Sequence, residues 1–352
     1  MTGLRIFHIV SSLNIGGAEK FVQNLSLAQQ KSQHQAQVIS FGKSNDHLQA
    51  QIESNHITVH NLTGGLFSRL RQLLNLIKDA DILHIHSPSV IRALLPIFFL
   101  LKKHHVIYTI HGEVDPPQNL LKLSHQLARC YLNFTLAVSP LAKQSVNKRY
   151  GWNSQCIEVI KNGVTIKPIT DKPRQEKIIL GVVGRLIELK NVELLFQAMA
   201  QAKQQQAFKI KIIGDGPLLS ELKNSAQKLA HTPVEFTGNI KDEESIYHGL
   251  DLLVVCSKTE GLPMSILESM ARAIPVISTK VGAIPNVINN HQNGWLYDSL
   301  NAIQLTEILD QITANPELIT QYGVNAQQYV QRHYSIAQVA QDYNDYYKRC
   351  FI

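Results

Sequence analysis

The stretch that decides the fold, residues 252–270, reads LLVVCSKTEGLPMSILESM. It opens with four aliphatic residues, which predict a short strand buried on both faces. A turn containing Gly261 and Pro263 follows, and proline is well placed in the first turn of a helix. The helix predicted over Ser265–Arg272 then carries Glu268. Strands buried on both faces belong to parallel sheets covered by helices, so this stretch predicts an α/β fold.

The same alternation of apolar runs and amphipathic segments extends over the whole chain. In segments such as Glu19–Gln30 and Arg69–Lys78 the apolar residues recur at helical spacing. The predicted strands are Leu4–Val10, Ala36–Phe41, Ile57–His60, Asp81–His86, His105–Ile110, Phe134–Val138, Ile157–Ile160, Ile178–Val183, Phe208–Ile213, Val234–Phe236, Leu252–Val255 and Pro275–Ser278. This order predicts two doubly wound parallel sheets, in which ligands bind beyond the carboxyl ends of the strands.

A break in the alternation at residues 167–174 predicts a linker between two domains. Its sequence, KPITDKPR, contains two prolines and several charges and offers little to bury. We therefore expect Rossmann-like domains over residues 1–167 and 168–334, facing each other across a cleft. The tail from Ser335 to Ile352 has a helical pattern rich in tyrosine, and we expect it to join the first domain.

The composition of the 352-residue chain excludes several classes of protein. No apolar run reaches the ~20 residues that a membrane-spanning helix needs. The best candidate, Ala93–Leu101, contains Pro96 and predicts a buried or surface-lying helix. The first residues lead into a strand pattern without a secretory signal, so we expect a cytoplasmic protein. The four cysteines are scattered without a CxxC pair, which predicts reduced thiols.

The net charge of +7 is concentrated in the first half of the chain. Residues 1–170 hold 17 Lys and Arg against 8 Asp and Glu, whereas the remainder holds 17 against 19. A basic first half is typical of proteins that face phosphate-bearing partners or an anionic bilayer. A solvated basic surface without a partner explains it equally well. We expect no nucleic acid among the partners.

Two strand-to-helix turns are rich in glycine. In the first, Gly16 and Gly17 precede the first helix, where backbone N–H groups attract anions. A purely structural turn explains this pair equally well. The second, GDGP at residues 214–217, resembles the start of a GxGxxG fingerprint, but Leu219 occupies the third glycine position. A nicotinamide dinucleotide site is therefore disfavoured.

A third turn combines glycine with two cations. Gly184 ends a predicted strand, Arg185 follows it, and Lys190 lies just before the next helix. A planar guanidinium and a compact ammonium at the carboxyl edge of a sheet suit a diphosphate. The alternative is a pair of solvated cations.

Glu260 and Glu268 form the second charged pair. Glu260 lies in the turn before a helix and Glu268 lies inside that helix. Their expected separation suits the two ends of one extended ligand better than two carboxylates flanking a single bond. The alternative is structural, with Glu260 favoured by the dipole at the helix N-terminus and Glu268 at a solvated helical position.

With these motifs the chain resembles the GT-B-fold retaining glycosyltransferases of the family 4 type over nearly its whole length. The motifs are GGAE at 16–19, TIHG at 109–112, VS at 138–139, NGV at 162–164, GR at 184–185 with Lys190, GDGP at 214–217, FTG at 236–238 and EGLP at 260–263 with Glu268. The last block is the E-x7-E signature of that family and is highly specific in this context.

The resemblance implies roles for individual residues. The diphosphate of a nucleotide-sugar donor would contact Arg185 and Lys190, the ribose would contact Glu268, and the transferred sugar would contact Glu260. Gly17 would approach the phosphate from the other domain, and His111 would lie next to the reacting centre. The implied catalytic residues are His111, Arg185, Lys190 and Glu260. The further donor-binding positions are Gly16, Gly17, Gly184, Gly214, Asn239, Ile240, Gly261, Leu262, Pro263 and Met264.

We expect neither a metal nor a cofactor, because the nucleotide-sugar is a co-substrate. Breaking a sugar–phosphate bond leaves negative charge on the diphosphate, which Arg185 and Lys190 can stabilise. The DAD sequence at residues 79–81 indicates a helix end and a strand start. His84 and His86 offer two metal-type ligands without an apparent third, so histidines of the core or the cleft are the better interpretation.

The resemblance implies a retaining, metal-independent hexosyltransferase that uses a nucleotide-sugar, most commonly a UDP-sugar. Its acceptor would be a glycan or lipid-linked glycan in cell-surface polysaccharide or lipopolysaccharide biosynthesis. No residue is an obvious covalent nucleophile, and the family's front-face route lets the leaving phosphate take the acceptor proton.

The sequence also suggests two alternative functions and an association with a membrane. A nucleotide-sugar epimerase of the same architecture would lack the E-x7-E context, and a non-catalytic nucleotide-sugar-binding protein would not need the intact charged positions. The basic first half and the apolar-basic segment Ile91–Lys103 motivate an acceptor held at the membrane. Such an acceptor would bring the cytoplasmic protein to the inner face of the cell membrane.

Overall fold

The computed structural model describes residues 3–14, 16–111, 119–169, 176–240 and 242–351. The chain divides into two compact units. We call Met1–Val164 with Tyr334–Ile352 the N-terminal unit, and Thr165–His333 the C-terminal unit. The linker predicted over 167–174 falls largely on residues 170–175, which lie outside the described residues, and it stays a prediction.

Each unit is built from parallel strands and covering helices. The strands are β1 (Arg5–Val10), β2 (Gln35–Ser40), β3 (Val59–Asn61), β4 (Ile82–Ile85), β5 (His105–Ile110), β6 (Phe134–Ala137), β7 (Glu158–Val159), β8 (Ile178–Val183), β9 (Phe208–Ile213), β10 (Val234–Gly238), β11 (Leu252–Val255), β12 (Val276–Thr279) and β13 (Gly294–Tyr297). The helices are α1 (Gly17–Lys31), α2 (Gln49–Glu53), α3 (Leu66–Leu76), α4 (Pro88–Leu94), α5 (Asn119–Ala128), α6 (Pro140–Tyr150), α7 (Glu193–Gln201), α8 (Leu219–Ala226), α9 (Glu243–Tyr247), α10 (Met264–Met270), α11 (Ala302–Ala314), α12 (Glu317–His333) and α13 (Ile336–Arg349).

The two sheets have the doubly wound order. Among the described residues, the N-terminal unit contains seven strands in the order β3-β2-β1-β4-β5-β6-β7, and the C-terminal unit contains six in the order β10-β9-β8-β11-β12-β13. All the strand pairs are parallel. Every residue of β4, β11 and β12 is buried, as expected for strands covered by helices on both faces. The predicted fold class is confirmed.

One face of the N-terminal sheet is covered by α1 and α13. Phe21 and Leu25 of α1 pack with Val339 and Tyr343 of α13 on the isoleucines of the central strands. The C-terminal helix therefore contributes to the core of this unit. Its position matters because the same face carries a row of polar side chains.

The structure differs from the sequence expectations at a few elements. The strand β13 was not predicted, because its sequence GWLY has no run of β-branched residues. The segment 93–101, predicted as a buried or surface-lying helix, falls on the end of α4 and a 3₁₀ helix over Leu95–Lys103. The DAD sequence at residues 79–81 agrees with its prediction, because a 3₁₀ turn ends at Asp79 and β4 begins at Ile82; the Asp81 carboxylate accepts from the backbone N–H of Arg5.

In the described part of the chain, no helix is both long enough and apolar enough to cross a membrane.

Candidate active site

The Glu260 carboxylate lies at the end of β11, held by two donors. The Lys190 ammonium forms an ion pair with its Oε1 atom, and Ser257 Oγ donates to the same oxygen at 2.7 Å. The helix α10 begins at Met264 with Pro263 as its N-cap, and no side chain caps it. Glu260 therefore forms no capping hydrogen bond with α10, and its carboxylate is instead engaged by Lys190 and Ser257.

The conformation of the Glu260 turn depends on the neighbouring turn after β12. The Ala283 N–H donates to the Gly261 carbonyl at 2.9 Å. Gly282 has φ of +56°, and a Cβ atom there would lie 1.8 Å from the Glu260 carbonyl oxygen. Only glycine fits such a position. The sequence reasoning missed Gly282, although a glycine in the short turn after a predicted strand was the available signal.

A second close backbone contact joins the ends of β8 and β9. Gly214 has φ of +140°, and a Cβ atom there would lie 2.0 Å from the Gly184 carbonyl oxygen. The Gly184 N–H donates to the Ile213 carbonyl, and the Gly214 N–H donates to the Gly238 carbonyl. The two glycines therefore hold three strand ends together, whether or not they touch a ligand.

A cavity of about 330 Å³, open to solvent, lies at the carboxyl ends of β8 and β11. Its lining includes five of the predicted positions: Gly184, Arg185, Lys190, Glu260 and Pro263. The structure thus brings together the predicted cations and the first glutamate.

The charges in this cavity are unevenly paired. Lys190 and Glu260 neutralise each other, while Arg185 is exposed and has no ion-pair partner among the described residues. Cys256 also lines the cavity. Burial raises the pKa of its thiol to about 12, so it stays protonated and is a poor nucleophile.

Glu268 is set apart from this lining. Glu268 is 8% exposed, and the Tyr247 hydroxyl donates to the Glu268 Oε2 atom at 2.7 Å. Burial, followed by the Glu268 charge, raises the pKa of Tyr247 well above its ordinary value. The interpretation of Glu268 as a solvated helical position is therefore wrong.

One of the two predicted base-binding positions, Ile240, lies close to the same tyrosine. Ile240 packs in a small cluster with Tyr247, Leu250 and Ile274, while Asn239 is exposed directly after β10. Tyr247 thus connects Ile240 with Glu268. Gly261 and Leu262 complete the turn before α10 and do not line the cavity, and neither does Met264.

The predicted glycine turn of the N-terminal unit precedes α1. Gly16 has an extended backbone, and α1 begins at Gly17 without a side-chain cap. A Cβ atom on Gly16 would lie 2.3 Å from the Glu19 carboxylate. Ile15 lies outside the described residues. The Glu19 side chain therefore lies against the turn that precedes the first N–H groups of this 15-residue helix.

His111 follows β5 and bonds to a second histidine. Its Nε2 atom lies 2.9 Å from His86 Nδ1. Burial lowers the pKa of His111 to about 3, so the ring is neutral at physiological pH. Its Nδ1 atom is buried and has no partner among the described residues. Gly112, the next residue of the predicted motif, lies outside the described residues.

A third metal-type ligand beside His84 and His86 was not apparent from the sequence, but the structure contains one. His8 on β1 joins them, and ring nitrogens of the three lie within 4.8 Å of one another, close enough for a shared metal. All six ring nitrogens nevertheless have side-chain partners, at distances of 2.7–3.0 Å. A metal would have to displace these hydrogen bonds. The absence of a metal stays a prediction.

Comparison with protein families covers nearly the whole chain. Residues 165–329 match the model of the glycosyl transferases group 1, and residues 15–167 match that of glycosyltransferase family 4. An uncharacterized glycosyltransferase of Haemophilus influenzae is 24% identical over 328 residues, which cover 90% of this chain and 92% of that protein. The D-rhamnosyltransferase WbpZ of Pseudomonas aeruginosa is 25% identical over 282 residues, covering 75% and 72%.

Solved structures show the same architecture. The Anabaena protein HepE in complex with UDP has a TM-score of 0.84 at 19% identity, covering 98% of this chain and 100% of that chain. Its complex with UDP-glucose has a TM-score of 0.83 at 20% identity, with the same coverage. Together with the two family models, this architecture shows that the chain is a GT-B-fold glycosyltransferase of the family 4 type.

Proposed function

We propose that this glycosyltransferase moves a hexose-type sugar from a UDP-sugar to a glycan or lipid-linked glycan acceptor, with retention of configuration. The expected setting is cell-surface polysaccharide or lipopolysaccharide biosynthesis. The observation that carries the proposal is the cavity at the ends of β8 and β11, where Arg185 lies beside the Lys190–Glu260 ion pair. These groups match the charges of a sugar diphosphate.

In this proposal the diphosphate is the anionic partner of Arg185. Arg185 offers a planar fork of donors, and Lys190 offers a compact charge held in place by Glu260. When a diphosphate enters, Lys190 lies between two anions. Glu260 is then an acceptor for hydroxyl groups of the transferred sugar, and the turn from Gly261 to Met264 lies beside that sugar.

The same two cations serve the chemical step. As the sugar–phosphate bond breaks, positive charge grows on the sugar ring and negative charge grows on the leaving diphosphate. Preorganised cations stabilise that negative charge, so the proposal needs no metal. Glu260 is engaged by Lys190 and Ser257, and the Cys256 thiol is protonated. We therefore propose the front-face route, in which the leaving phosphate takes the acceptor proton.

The nucleoside half of the donor is assigned to the residues around Tyr247. Glu268 would accept hydrogen bonds from the ribose, and Asn239 and Ile240 would lie along the base. Tyr247 supports this assignment because it donates to Glu268 and packs with Ile240. Its hydroxyl holds the carboxylate in one orientation before the ribose binds.

Two positions of the N-terminal unit belong to the same proposal. The α1 N-terminus at Gly16 and Gly17 would approach a donor phosphate, since backbone N–H groups there attract anions. His111 would act next to the reacting centre as a neutral hydrogen-bonding group. Its neutrality follows from its low pKa.

The UDP preference is supported by the UDP and UDP-glucose complexes of HepE. A panel of UDP-, GDP- and ADP-sugars, scored for thermal stabilisation and slow hydrolysis, tests it. A ligand held at about 100 times its dissociation constant adds roughly 2.7 kcal/mol of stability. Stabilisation by GDP- or ADP-sugars alone would contradict the UDP assignment.

The same panel separates the alternative functions. An epimerase would convert the donor to its epimer without an acceptor, and a non-catalytic protein would bind a donor without hydrolysing it. The transferase releases UDP and free sugar slowly when water replaces the acceptor. Addition of EDTA leaves this rate unchanged if the reaction is independent of metal.

We also propose that the N-terminal unit contacts an anionic membrane where a lipid-linked acceptor is held. The 3₁₀ helix Leu95–Lys103 exposes Phe99 and Leu100, which are 59% and 42% exposed, next to Lys102 and Lys103. It packs against α5, whose Leu123 and Leu127 are 54% and 53% exposed. Exposed apolar groups beside lysines fit an anionic bilayer surface.

Flotation with liposomes tests this surface. We expect salt-sensitive binding to anionic vesicles and weaker binding for Phe99→Ser and for the double variant Lys102→Glu, Lys103→Glu. The matched control is Phe67→Ser, because Phe67 is 86% exposed on α3 of the same unit. Equal flotation of all four proteins, or none for the unaltered chain, would contradict the membrane contact.

A further inference from the structure

A row of polar side chains crosses the carboxyl end of the N-terminal sheet. On the face covered by α1 and α13, each central strand changes from isoleucine to polar residues. The sequence of this face is Ile6–His8 on β1, Ile82–His84–His86 on β4 and beyond it, and Ile107–Thr109–His111 on β5 and beyond it. These three strands are neighbours in the sheet. The histidines therefore form a continuous layer.

Hydrogen bonds join this layer into a chain that ends at His111. His111 Nε2 lies 2.9 Å from His86 Nδ1, and His86 Nε2 lies 3.0 Å from His8 Nδ1. His8 Nε2 lies 2.7 Å from Oε1 of Gln29, a residue of α1. His8 and Gln29 are 0% exposed and His86 is 2% exposed, so water does not compete for these contacts.

Burial keeps the histidines that are joined by these hydrogen bonds neutral. It lowers the pKa of His8 to about 4 and that of His86 well below the ordinary value. A neutral imidazole has one N–H donor and one lone pair. The direction of each hydrogen bond therefore determines the direction of the next one. If the donor at one end is known, the protonated nitrogen of every histidine in the series follows.

The Gln29 amide fixes that end. Its Nε2 atom donates to Tyr347 Oη at 3.1 Å, so its Oε1 atom faces His8 and can only accept. His8 must then carry its proton on Nε2 and accept on Nδ1. By the same reasoning His86 carries its proton on Nε2, and so does His111.

A second branch agrees with this direction. Tyr347 accepts from Gln29 and lies 2.7 Å from His84 Nδ1, to which it donates its proton. His84 then donates from Nε2 to Thr109 Oγ1 at 2.7 Å. All four histidines have the same tautomer, and the amide of Gln29 lies at the branch point.

The consequence appears at His111, which lies at the other end of the hydrogen-bond series from Gln29. With its proton on Nε2, His111 presents a lone pair on Nδ1. That atom is buried, has no partner among the described residues, and belongs to a residue at the carboxyl end of β5. Ligands of such sheets bind at this edge. The unpaired Nδ1 is suited to accept a hydrogen bond from a hydroxyl group.

We propose that Gln29 is a positioning residue that acts through His8 and His86 to hold His111 as an Nδ1 acceptor for a sugar hydroxyl. The hydroxyl-binding half of this proposal rests on the proposed glycosyl transfer, whereas the tautomer does not. If the amide were reversed, every hydrogen bond of the chain would reverse with it, and His111 would present an N–H donor. The proposal therefore predicts a protonation state that can be measured without turnover.

Nitrogen-15 NMR of histidine-labelled protein measures the tautomers directly. We expect His111 to be protonated on Nε2, and Gln29→Met, which removes both amide contacts, to allow both directions and give a mixture. Gln29→Glu keeps only acceptor atoms towards His8 and should preserve the tautomer. His104→Phe is the control, because His104 is buried in the same unit and bonds to the Ala80 carbonyl.

A His111 proton on Nδ1 in the unaltered protein would overturn the proposal, even if no variant folded. So would an unchanged tautomer in Gln29→Met, or a stoichiometric metal that purifies with the protein and is lost in His8→Gln. Each of these results is read from the spectrum or from metal analysis. None depends on the identity of the donor.

Kinetics then tests the positioning role. We expect Gln29→Met to lower the rate of donor hydrolysis about tenfold, the effect of one hydrogen bond in the transition state. UDP affinity should stay unchanged, and Gln29→Glu should recover most of the rate. An effect on hydrolysis assigns the hydroxyl to the donor sugar, whereas an effect on transfer alone assigns it to the acceptor.

Two outcomes separate this proposal from the proposed function. If the tautomer responds to Gln29→Met but neither rate does, the positioning role is wrong while the glycosyl transfer stands. If the unaltered protein binds and hydrolyses no nucleotide-sugar, the proposed function fails and the positioning role fails with it. The spectrum then still decides the direction of the chain.

Discussion

The N-terminal unit contains a cluster of buried, neutral histidines, whereas the C-terminal unit contains a charged pair in an open cavity. In the N-terminal unit His8, His84 and His86 are at most 2% exposed, and burial lowers the pKa of each. In the C-terminal unit the side chains of Lys190 and Glu260 are 29% and 14% exposed and form an ion pair in an open cavity. One set is neutral and fully hydrogen-bonded, and the other is charged.

The difference follows from the free energy of burying charge. A buried charge without a partner is costly, whereas a buried neutral group is stable when all its hydrogen bonds are made. The histidine layer therefore supplies direction without charge. The cavity of the C-terminal unit retains charge where a diphosphate is proposed to bind.

The largest expected effect comes from removing charge in the C-terminal unit. Arg185→Ala takes away the cation that has no ion-pair partner among the described residues. We expect donor hydrolysis to slow by about 100- to 1000-fold, as for other preorganised groups that stabilise developing charge. Steady-state assays of UDP release measure it.

Lys258→Ala is the matched control for that loss. Lys258 is also a cation near the carboxyl end of β11, but it pairs with the exposed Glu188 at 2.8 Å. Exposed pairs of this kind contribute little. Equal rates for the unaltered protein and Arg185→Ala would show that Arg185 does not contribute to the charge-handling site.

The next effect tests the neutral layer of the N-terminal unit. His8 and His111 have pKa values of about 4 and 3 in the folded chain, against an unfolded value of about 6.5. Between these values the unfolded chain binds protons that the folded chain does not. Stability is therefore retained above pH 6.5 and lost as the pH falls below it, by roughly 2–3 kcal/mol at pH 5.5 for the two histidines.

Urea unfolding at pH 7.5 and pH 5.5 measures this loss. His8→Gln removes one of the four buried histidines whose pKa is lowered, so the difference in stability between the two pH values should shrink by roughly 1–1.5 kcal/mol. A protein that is equally stable at both pH values would show that the histidine layer accepts protons in the folded state.

The smallest expected effect concerns Glu268 and Tyr247, which are proposed to hold the nucleoside half of the donor. Glu268→Ala should weaken donor binding about tenfold with little change in turnover, since the lost contact is made equally before and during the reaction. Tyr247→Phe keeps the carboxylate and removes only the 2.7 Å hydrogen bond that orients it, so a smaller loss is expected. Calorimetric titration with UDP measures both. A larger loss for Tyr247→Phe would reverse the assigned roles.

The sequence predicted the elements that depend on local pattern. The strands β5, β8, β9 and β11 begin and end at the predicted residues, because their apolar runs are bounded by turns or charges. The strand β13 was not predicted, because its sequence GWLY has no clear strand pattern and its extended conformation depends on pairing with β12.

The site was predictable in its members but less so in its contacts. Arg185, Lys190 and Glu260 were singled out from residue type and spacing, and the structure places all three along one cavity. Gly282 and Tyr247 were missed because they act through a backbone contact and a single hydrogen bond to residues distant in sequence. The layer around His8 was missed because its members come from three strands and two helices.

The anomeric configuration of the first sugar released most directly tests the central claim. The preferred UDP-sugar from the panel is incubated with the protein, and proton NMR follows the free sugar before its anomers equilibrate. Retaining transfer to water predicts that the anomer matching the donor, the α-anomer for UDP-α-glucose, accumulates first. The opposite anomer first, or no release from any nucleotide-sugar, would contradict the account.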